Sequence, residues 1–221
     1  MKSIARIVEA HIEEVPLLED FLARGLINQS SLARSLIPEI EKERGGKIKP
    51  AAVIMAVKRY VRTAQKKQYT AQINKVVAGC TLNLKSGIAD IAIEKTEKLY
   101  ILLNELSKKI NTKKGEVLSV VQGISETAII IDEKYVDELL KKLDKNSILK
   151  VERDLVELHI MAPPEFWTVS GIIYVVTKVL ALHGINIIDI VTTLTELSIL
   201  VKKEDTGKAF EVLNKLIEES K

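Results

Sequence analysis

One cysteine, Cys80, stands in the whole chain, so no intrachain disulfide can form and no Cys/His cluster exists to hold a metal. The expectation for Cys80 is a small core side chain rather than a nucleophile or ligand. No apolar run approaches the ~20 residues that cross a bilayer, and no signal-type hydrophobic stretch opens the chain. The three histidines, His11, His159 and His183, are scattered. His159 falls in a strand-like run, where a partly buried structural role is expected. No HExxH, GxSxG, GxGxxG or phosphate-loop pattern occurs, and Gly45-Gly-Lys47 lacks the spacing of a phosphate cradle. These absences leave no catalytic residue, metal or cofactor to predict. The expectation is a cytoplasmic protein that is neither an enzyme nor a membrane protein.

Acid is also scarce in one place. From Gly45 to Ala89 there are nine Lys/Arg and no Asp or Glu. The net charge of +3 hides this asymmetry. Residues 1–67 hold 13 Lys/Arg against 8 Asp/Glu, and residues 68–221 hold 20 against 22. A bias confined to one segment points to an acidic partner for that segment.

What is present fits an ordinary globular chain, with 47% apolar and 29% charged residues over 221 positions. That length allows one to three domains. Residues 1–67 read as helical. Ile4, Ile7, Val8 and Ile12, then Leu17, Leu18, Phe21 and Leu22, recur at helical spacing, with Gly25 as a C-cap. Asn28-Gln-Ser-Ser31 supplies N-cap residues for a helix facing inward with Leu32, Leu36 and Ile40. Gly45-Gly46 breaks the pattern, and Pro50 opens a helix from about 50 to 67. On that helix Lys58, Arg59, Arg62 and Lys66 share an arc of roughly 100°, while Val53, Val57, Tyr60, Val61 and Ala64 face the other way. Three helices with a basic last one after a tight turn resemble a helix-turn-helix. That motif lays its last helix in the major groove of double-stranded DNA. The candidate DNA-binding residues are Lys47, Lys49, Lys58, Arg59, Arg62 and Lys66, with Lys67, Ser30, Ser31 and Arg34 in support. A solvated helix face is the plainer alternative, although such faces usually mix signs. Ala51 to Ala56 would also suit packing on another protomer.

Residues 68–85 read as a linker or an added strand. The rest is a repeat with a period near 70. Ile88–Glu94 matches Leu155–Met161. Ser119-Val-Val-Gln-Gly-Ile-Ser-Glu-Thr-Ala-Ile-Ile-Ile131 matches Asp189-Ile-Val-Thr-Thr-Leu-Thr-Glu-Leu-Ser-Ile-Leu-Val201 without a gap. Val136–Leu143 matches Ala209–Leu216. Each half, 86–152 and 153–221, reads strand, helix, strand, strand, helix. The helices are expected over Thr96–Ile110 and Thr168–His183, then near 133–143 and 205–219. A short run, Ile148–Glu152, would be the fourth strand of the first half. The second half has none of its own, and Val76–Leu84 is a candidate donor. The fold class is therefore α+β, a helical unit followed by two ferredoxin-like units. The open faces and edges of such sheets need a partner, either each other or a second chain, so a homodimer or larger homo-oligomer is expected.

The stretch Ile185-Asn-Ile-Ile-Asp-Ile-Val-Thr-Thr-Leu-Thr-Glu-Leu-Ser-Ile-Leu-Val201 closely resembles the regulatory ACT domains at the C-terminus of aspartate kinases. The shared features are a Gly-Ile-Asn-Ile turn, a strand ending in small hydroxyl residues, a Glu, and a second aliphatic strand. An acidic turn ending at Asp205 and a helix near Lys208 follow. The resemblance spans about 155–217. The first half looks like a degenerate ACT domain through its match to the second. The resemblance implies a ligand-binding regulatory module, commonly for amino acids, that works in pairs or larger sets. It carries over Ser170, Gly171, Gly184, Ile185, Asn186 and Ile187 as ligand-binding residues.

Elementary chemistry is compatible with that assignment. A helix ending at His183 needs a residue of positive φ, which Gly184 provides. The N–H groups at Thr168-Val-Ser-Gly171 could receive a carboxylate. A helix start on one unit and a Gly-Ile-Asn turn on its neighbour could hold both ends of a small amino acid. Gly184 is equally explained as a helix cap, and Asn186 as a turn residue. Phe166 and Trp167 either cover a pocket or pack at an interface. The first half has no Gly-Ile-Asn in Ile110–Glu116, and Lys95-Thr-Glu-Lys98 replaces the small helix start, so it is expected to pair structurally and bind nothing. Three functions follow: an amino-acid-sensing transcriptional regulator; a stand-alone regulatory subunit of an enzyme of amino-acid metabolism; or a structural oligomer.

Overall fold

The computed structural model describes residues 3–15, 18–23, 25–64 and 69–221. The chain divides into two compact units, residues 1–71 and 72–221.

The first unit is helical: α1 (Ile4–Glu14), α2 (Leu18–Ala23), α3 (Gln29–Arg44) and α4 (Pro50–Ala64). Local chemistry sets the boundaries. Ser3 caps α1 by accepting from the Arg6 N–H at 3.3 Å. Asn28 caps α3 by accepting from the N–H groups of Ser30 and Ser31, both at 3.0 Å. Gly45, at φ +76°, ends α3. The Ile48 N–H then donates to the Glu41 carboxylate at 2.9 Å, which fixes the path into α4. Ile7, Val8, Ile12, Leu22, Leu36 and Ile40 form a core with Val53, Val57, Tyr60 and Val61 of α4. The apolar side of α4 is thus the side expected from its spacing.

The boundary falls within α5 (Tyr69–Ala78), whose Ile73, Val76 and Val77 enter the core of the second unit. A linker or strand was expected over 68–85. The first part is instead a helix, because Ile73, Val76 and Val77 fall on one side at helical spacing. Then follow β1 (Thr81–Glu94), α6 (Glu97–Ser107), β2 (Leu118–Gln122), β3 (Glu126–Asp132), α7 (Val136–Lys142), β4 (Ile148–Met161), α8 (Ile172–Leu182), β5 (Asp189–Thr192), β6 (Glu196–Lys202) and α9 (Thr206–Glu219). The six strands form one antiparallel sheet in the order β2-β3-β1-β4-β6-β5.

The 70-residue repeat is visible in the register. Ser119 pairs with Ile130 in one hairpin, and Asp189 with Leu200 in the other. Ile88 pairs with Asp132, and its counterpart Leu155 with Lys202. The fourth strands, however, are not separate pieces. β1 and β4 are 14 residues each and pair with one another along most of their length. Ile88–Glu94 serves the first half, while Thr81–Ser86 lies beside Val156–Met161 as the fourth strand of the second. Ile148–Glu152 does the same for the first half. The expected donor, Val76–Leu84, is therefore right only in its strand portion, from Thr81.

Bulges between Ser86 and Asp90, with Gly87 at φ +73° and Asp154 at φ +54°, mark where each long strand passes from one half to the other. Two cores result. Ile91, Ile93, Leu99, Leu103, Ile129 and Ile131 pack under α6 and α7. Leu158, Ile160, Val176, Leu180, Ile199 and Leu213 pack under α8 and α9. On the other face Ile88, Ile130, Leu155 and Leu200 form a small third cluster shared by both halves.

Cys80 is buried, its thiol donating to the Val76 carbonyl at 3.3 Å. Burial pushes that thiol up to about 11, which makes it a poor nucleophile. Among the described residues no helix is long and apolar enough to cross a membrane.

Candidate ligand turn and basic helix face

The turn after α8 is built by its backbone. The Ile185 N–H donates to the Leu180 carbonyl and the Gly184 N–H to that of Ala181, both at 3.0 Å. This doubly bonded ending requires a left-handed residue, and Gly184 sits at φ +71°. Ile185 is buried and Ile187 half-buried against the core of the second half, so the two isoleucines anchor the turn as expected. Asn186 between them is exposed. Lys208 at the start of α9 donates to the His183 carbonyl at 2.6 Å, tying the turn to the next helix. The N–H groups of Asn186 and Ile187 have no partner among the described residues, whereas the Ile188 N–H already bonds Leu200 at 2.8 Å. A Cβ added to Gly184 would meet nothing within 4 Å. Gly184→Ala is therefore expected to lose only the conformational term, about 1 kcal/mol, measurable by urea denaturation.

The other carried-over residues lie elsewhere. Ser170 and Gly171 precede α8, while Gly184–Ile187 follow it. At a rise of ~1.5 Å per residue, its 11 residues separate the two groups by roughly 16 Å. One chain does not bring them together. The helix begins at Ile172 rather than Thr168, because Pro164–Trp167 form a turn of 3₁₀ helix and Gly171, at φ +90°, restarts the chain. Gly171 offers no side chain to cap the free N–H groups of α8. In the first half Thr96 does so, accepting from the Leu99 N–H at 3.3 Å. The loop aromatics divide: Phe166 is buried in the core and Trp167 is 68% exposed. Beneath Phe166 an apolar gap of about 10 Å³ has room for no more than a water molecule.

Two carboxyl groups lie on the sheet face away from the helices. Glu157 and Asp90 occupy matching positions of the repeat, and each sits where an alternating strand turns a residue away from its own helix layer. Glu157 is buried, with the His159 Nδ1 at 3.8 Å. His159 itself is half-buried, its Nδ1 3.2 Å from the Ser198 hydroxyl, in the structural role expected. Asp90 has its Oδ1 buried without a hydrogen-bond partner. Burial first, then the charge of Asp189 at the foot of the Gly184–Ile187 turn, pushes the Asp90 carboxyl up to about 6.

A carboxyl raised on folding holds more protons folded than unfolded over that interval. Its contribution is full below the unfolded value of ~3.9 and is lost as pH rises to ~6. Asp90→Asn is expected to flatten that fall, as measured by urea denaturation at steps of pH between those limits.

In the first unit Lys58, Arg59 and Arg62 line the exposed side of α4, and Lys47 and Lys49 project from the connection before it. None of the five pairs with a carboxylate among the described residues. An open depression of about 420 Å³ runs beside Ala52, Met55, Ala56, Arg59, Arg62 and Thr63. Lys66 and Lys67 lie outside the described residues. Ser30 is half-buried, and Ser31 and Arg34 are exposed on α3.

The ACT-domain family model matches residues 150–215. No curated protein matches the chain. Among solved structures, the ligand-free regulatory subunit of aspartate kinase from Thermus thermophilus is 15% identical, with 61% of this chain and 95% of that one covered and a TM-score of 0.48. The corresponding subunit from Thermus flavus is also 15% identical, over 61% and 95%, with a TM-score of 0.49. A C-terminal regulatory domain of aspartate kinase from Porphyromonas gingivalis is 21% identical over 62% and 96%, with a TM-score of 0.45.

Proposed function

We propose that the protein is a non-enzymatic regulator that senses an amino acid through its ACT domain and binds double-stranded DNA through α4. The observation that carries the sensing role is the turn at Gly184–Ile187. It lies within the segment that the ACT-domain model matches, is fixed by two isoleucines, and leaves two backbone N–H groups and the Asn186 amide open among the described residues. Ser170 and Gly171 complete the site only from a neighbouring unit, so the reading requires a second copy. The surfaces for such pairing are the edge strands β2 and β5 with the helix faces beside them. Val120, Tyr100 and Ile101 at one end, and Ile190, Ile173 and Tyr174 at the other, are exposed. Ligand held across the pairing would favour one spacing of the two α4 helices, and unequal affinity for the two spacings supplies the coupling.

DNA is the favoured partner because five exposed bases have no acid to answer them among the described residues. The second reading, a regulatory subunit docked on an enzyme, draws on Met55, which is 57% exposed in the middle of the basic face. A thermal-shift screen of the standard amino acids tests the sensor. One amino acid should raise the melting temperature, and Asn186→Ala should diminish that rise. A screen with no shift disposes of the sensing role. Failure to retain duplex DNA at ~50 mM salt disposes of the DNA role and leaves the docking one.

A further inference from the structure

The first half departs from the second at the turn between its helix and β2. Residues 112–114 form a 3₁₀ turn closed by Gly115, and the next residue, Glu116, stands where the repeat places Asn186. Its side chain is 13% exposed and folds back into the loop. Three donors converge on it. The Asn111 N–H donates to Oε2 at 2.7 Å, the Tyr135 hydroxyl to Oε2 at 2.6 Å, and Lys134 Nζ to Oε1 at 2.5 Å. They come from the loop itself and from the 3₁₀ turn that precedes α7, so they are held by backbone already fixed on both sides. The Asn111 N–H first, then Lys134 and Tyr135, hold the carboxyl down at about 2.

A second carboxylate acts beside it. Asp132 Oδ2 accepts from the Val117 N–H at 2.6 Å, and its Oδ1 lies 3.1 Å from Lys85 Nζ. The repeat sets Ile187 against Val117 and Lys202 against Asp132. The second half thus has an ammonium where the first has an acceptor, and its Ile187 N–H is left open.

We propose that the loop 110–117 with Lys134 and Tyr135 is a carboxylate-binding cradle, matched by the repeat to the Gly184–Ile187 turn, and that its permanent occupant is the chain's own Glu116. Its ligand class is a small carboxylate, and its donors are one backbone N–H, one phenol and one ammonium. The first half is then fixed in a filled form and cannot respond to a ligand in solution, leaving the second half alone to respond. A clasp that merely closes a turn would need one hydrogen bond to the loop. Three donors from two segments, two of them side chains placed by the following turn, are the surroundings of a bound anion. This assignment stands whether or not an amino acid binds at 184–187.

Emptying the cradle tests it. In the full-length chain, Glu116→Ala should lower the melting temperature by several degrees. Potassium formate at about 0.2 M should restore most of that loss relative to potassium chloride at the same concentration. Wild type should show no difference between the two salts, and Tyr135→Phe added to Glu116→Ala should weaken the rescue. Equal melting of Glu116→Ala in formate and chloride would overturn the proposal. Should Glu116→Ala not fold, Glu116→Gln provides the reading, since it keeps the shape and loses the charge. A clear fall in its melting temperature at neutral pH supports an anion site, and wild-type melting overturns one.

Discussion

Leu158→Ala is expected to lower the unfolding free energy of the sheet unit by about 3 kcal/mol. Leu158 is fully buried in the C-terminal part of β4, between Leu84 of β1 and Ile199 of β6. It belongs to the core that α5, α8 and α9 cover, so removing its branched end leaves a void with little freedom to collapse. The effect should not stop at the second half. The same strand carries Ile148 and Val151 into the core of the first. Loosening this strand should therefore raise hydrogen exchange at Ile129 and Ile131 of β3, although these residues are in the other core. Urea denaturation followed by circular dichroism measures the loss, and exchange at β3 tests its reach. Unchanged protection at β3 would show that the two halves open independently.

The second large effect concerns the first unit. The combined change Lys58→Ala, Arg59→Ala and Arg62→Ala should reduce affinity for duplex DNA by roughly a thousandfold at ~0.1 M salt, since each lost phosphate contact is worth about tenfold there. The slope of log affinity against log salt should fall by about three. The melting temperature should hold, because the three side chains are exposed and the helix is anchored by Val53, Val57, Tyr60 and Val61. Anisotropy of a labelled duplex over a salt series measures both quantities. An unchanged slope would remove the basic face from DNA recognition.

Much of the sheet unit is legible in the sequence because the repeat is written in strand pairs. The gapless match of 119–131 to 189–201 is the register of two hairpins, and registers survive divergence where one face is buried. What the periodicity does not convey is continuity. Lys150, Glu152, Arg153 and Asp154 interrupt the apolar pattern of β4, so the strand reads as two pieces, yet Asp154 at φ +54° allows the chain to run on. The stretch before Gly79-Cys80 reads as a connector because its apolar positions are few, and its helical character depends on the core it covers. The ligand residues are legible one at a time, since a helix ending and a helix start are local chemistry. Their assembly is not, because the two ends of α8 cannot meet in one chain. Glu116 is hidden for another reason: a glutamate in a lysine-rich loop looks like surface charge until Asn111, Lys134 and Tyr135 are seen around it.

The crossing of β1 and β4 has a consequence for how this chain can be altered. The second half takes its fourth strand, Thr81–Ser86, from the start of β1, and the first half takes Ile148–Glu152 from the start of β4. A fragment containing only the second half would keep an unpaired, partly apolar edge where Thr81–Ser86 had lain. The sheet unit cannot be divided by truncation or recombined as two modules, and a protease cut near Asp154 would injure both halves at once. Lengthened or loosened at the bulges, the same strands could be traded with a second molecule, giving intertwined dimers in place of a self-contained chain.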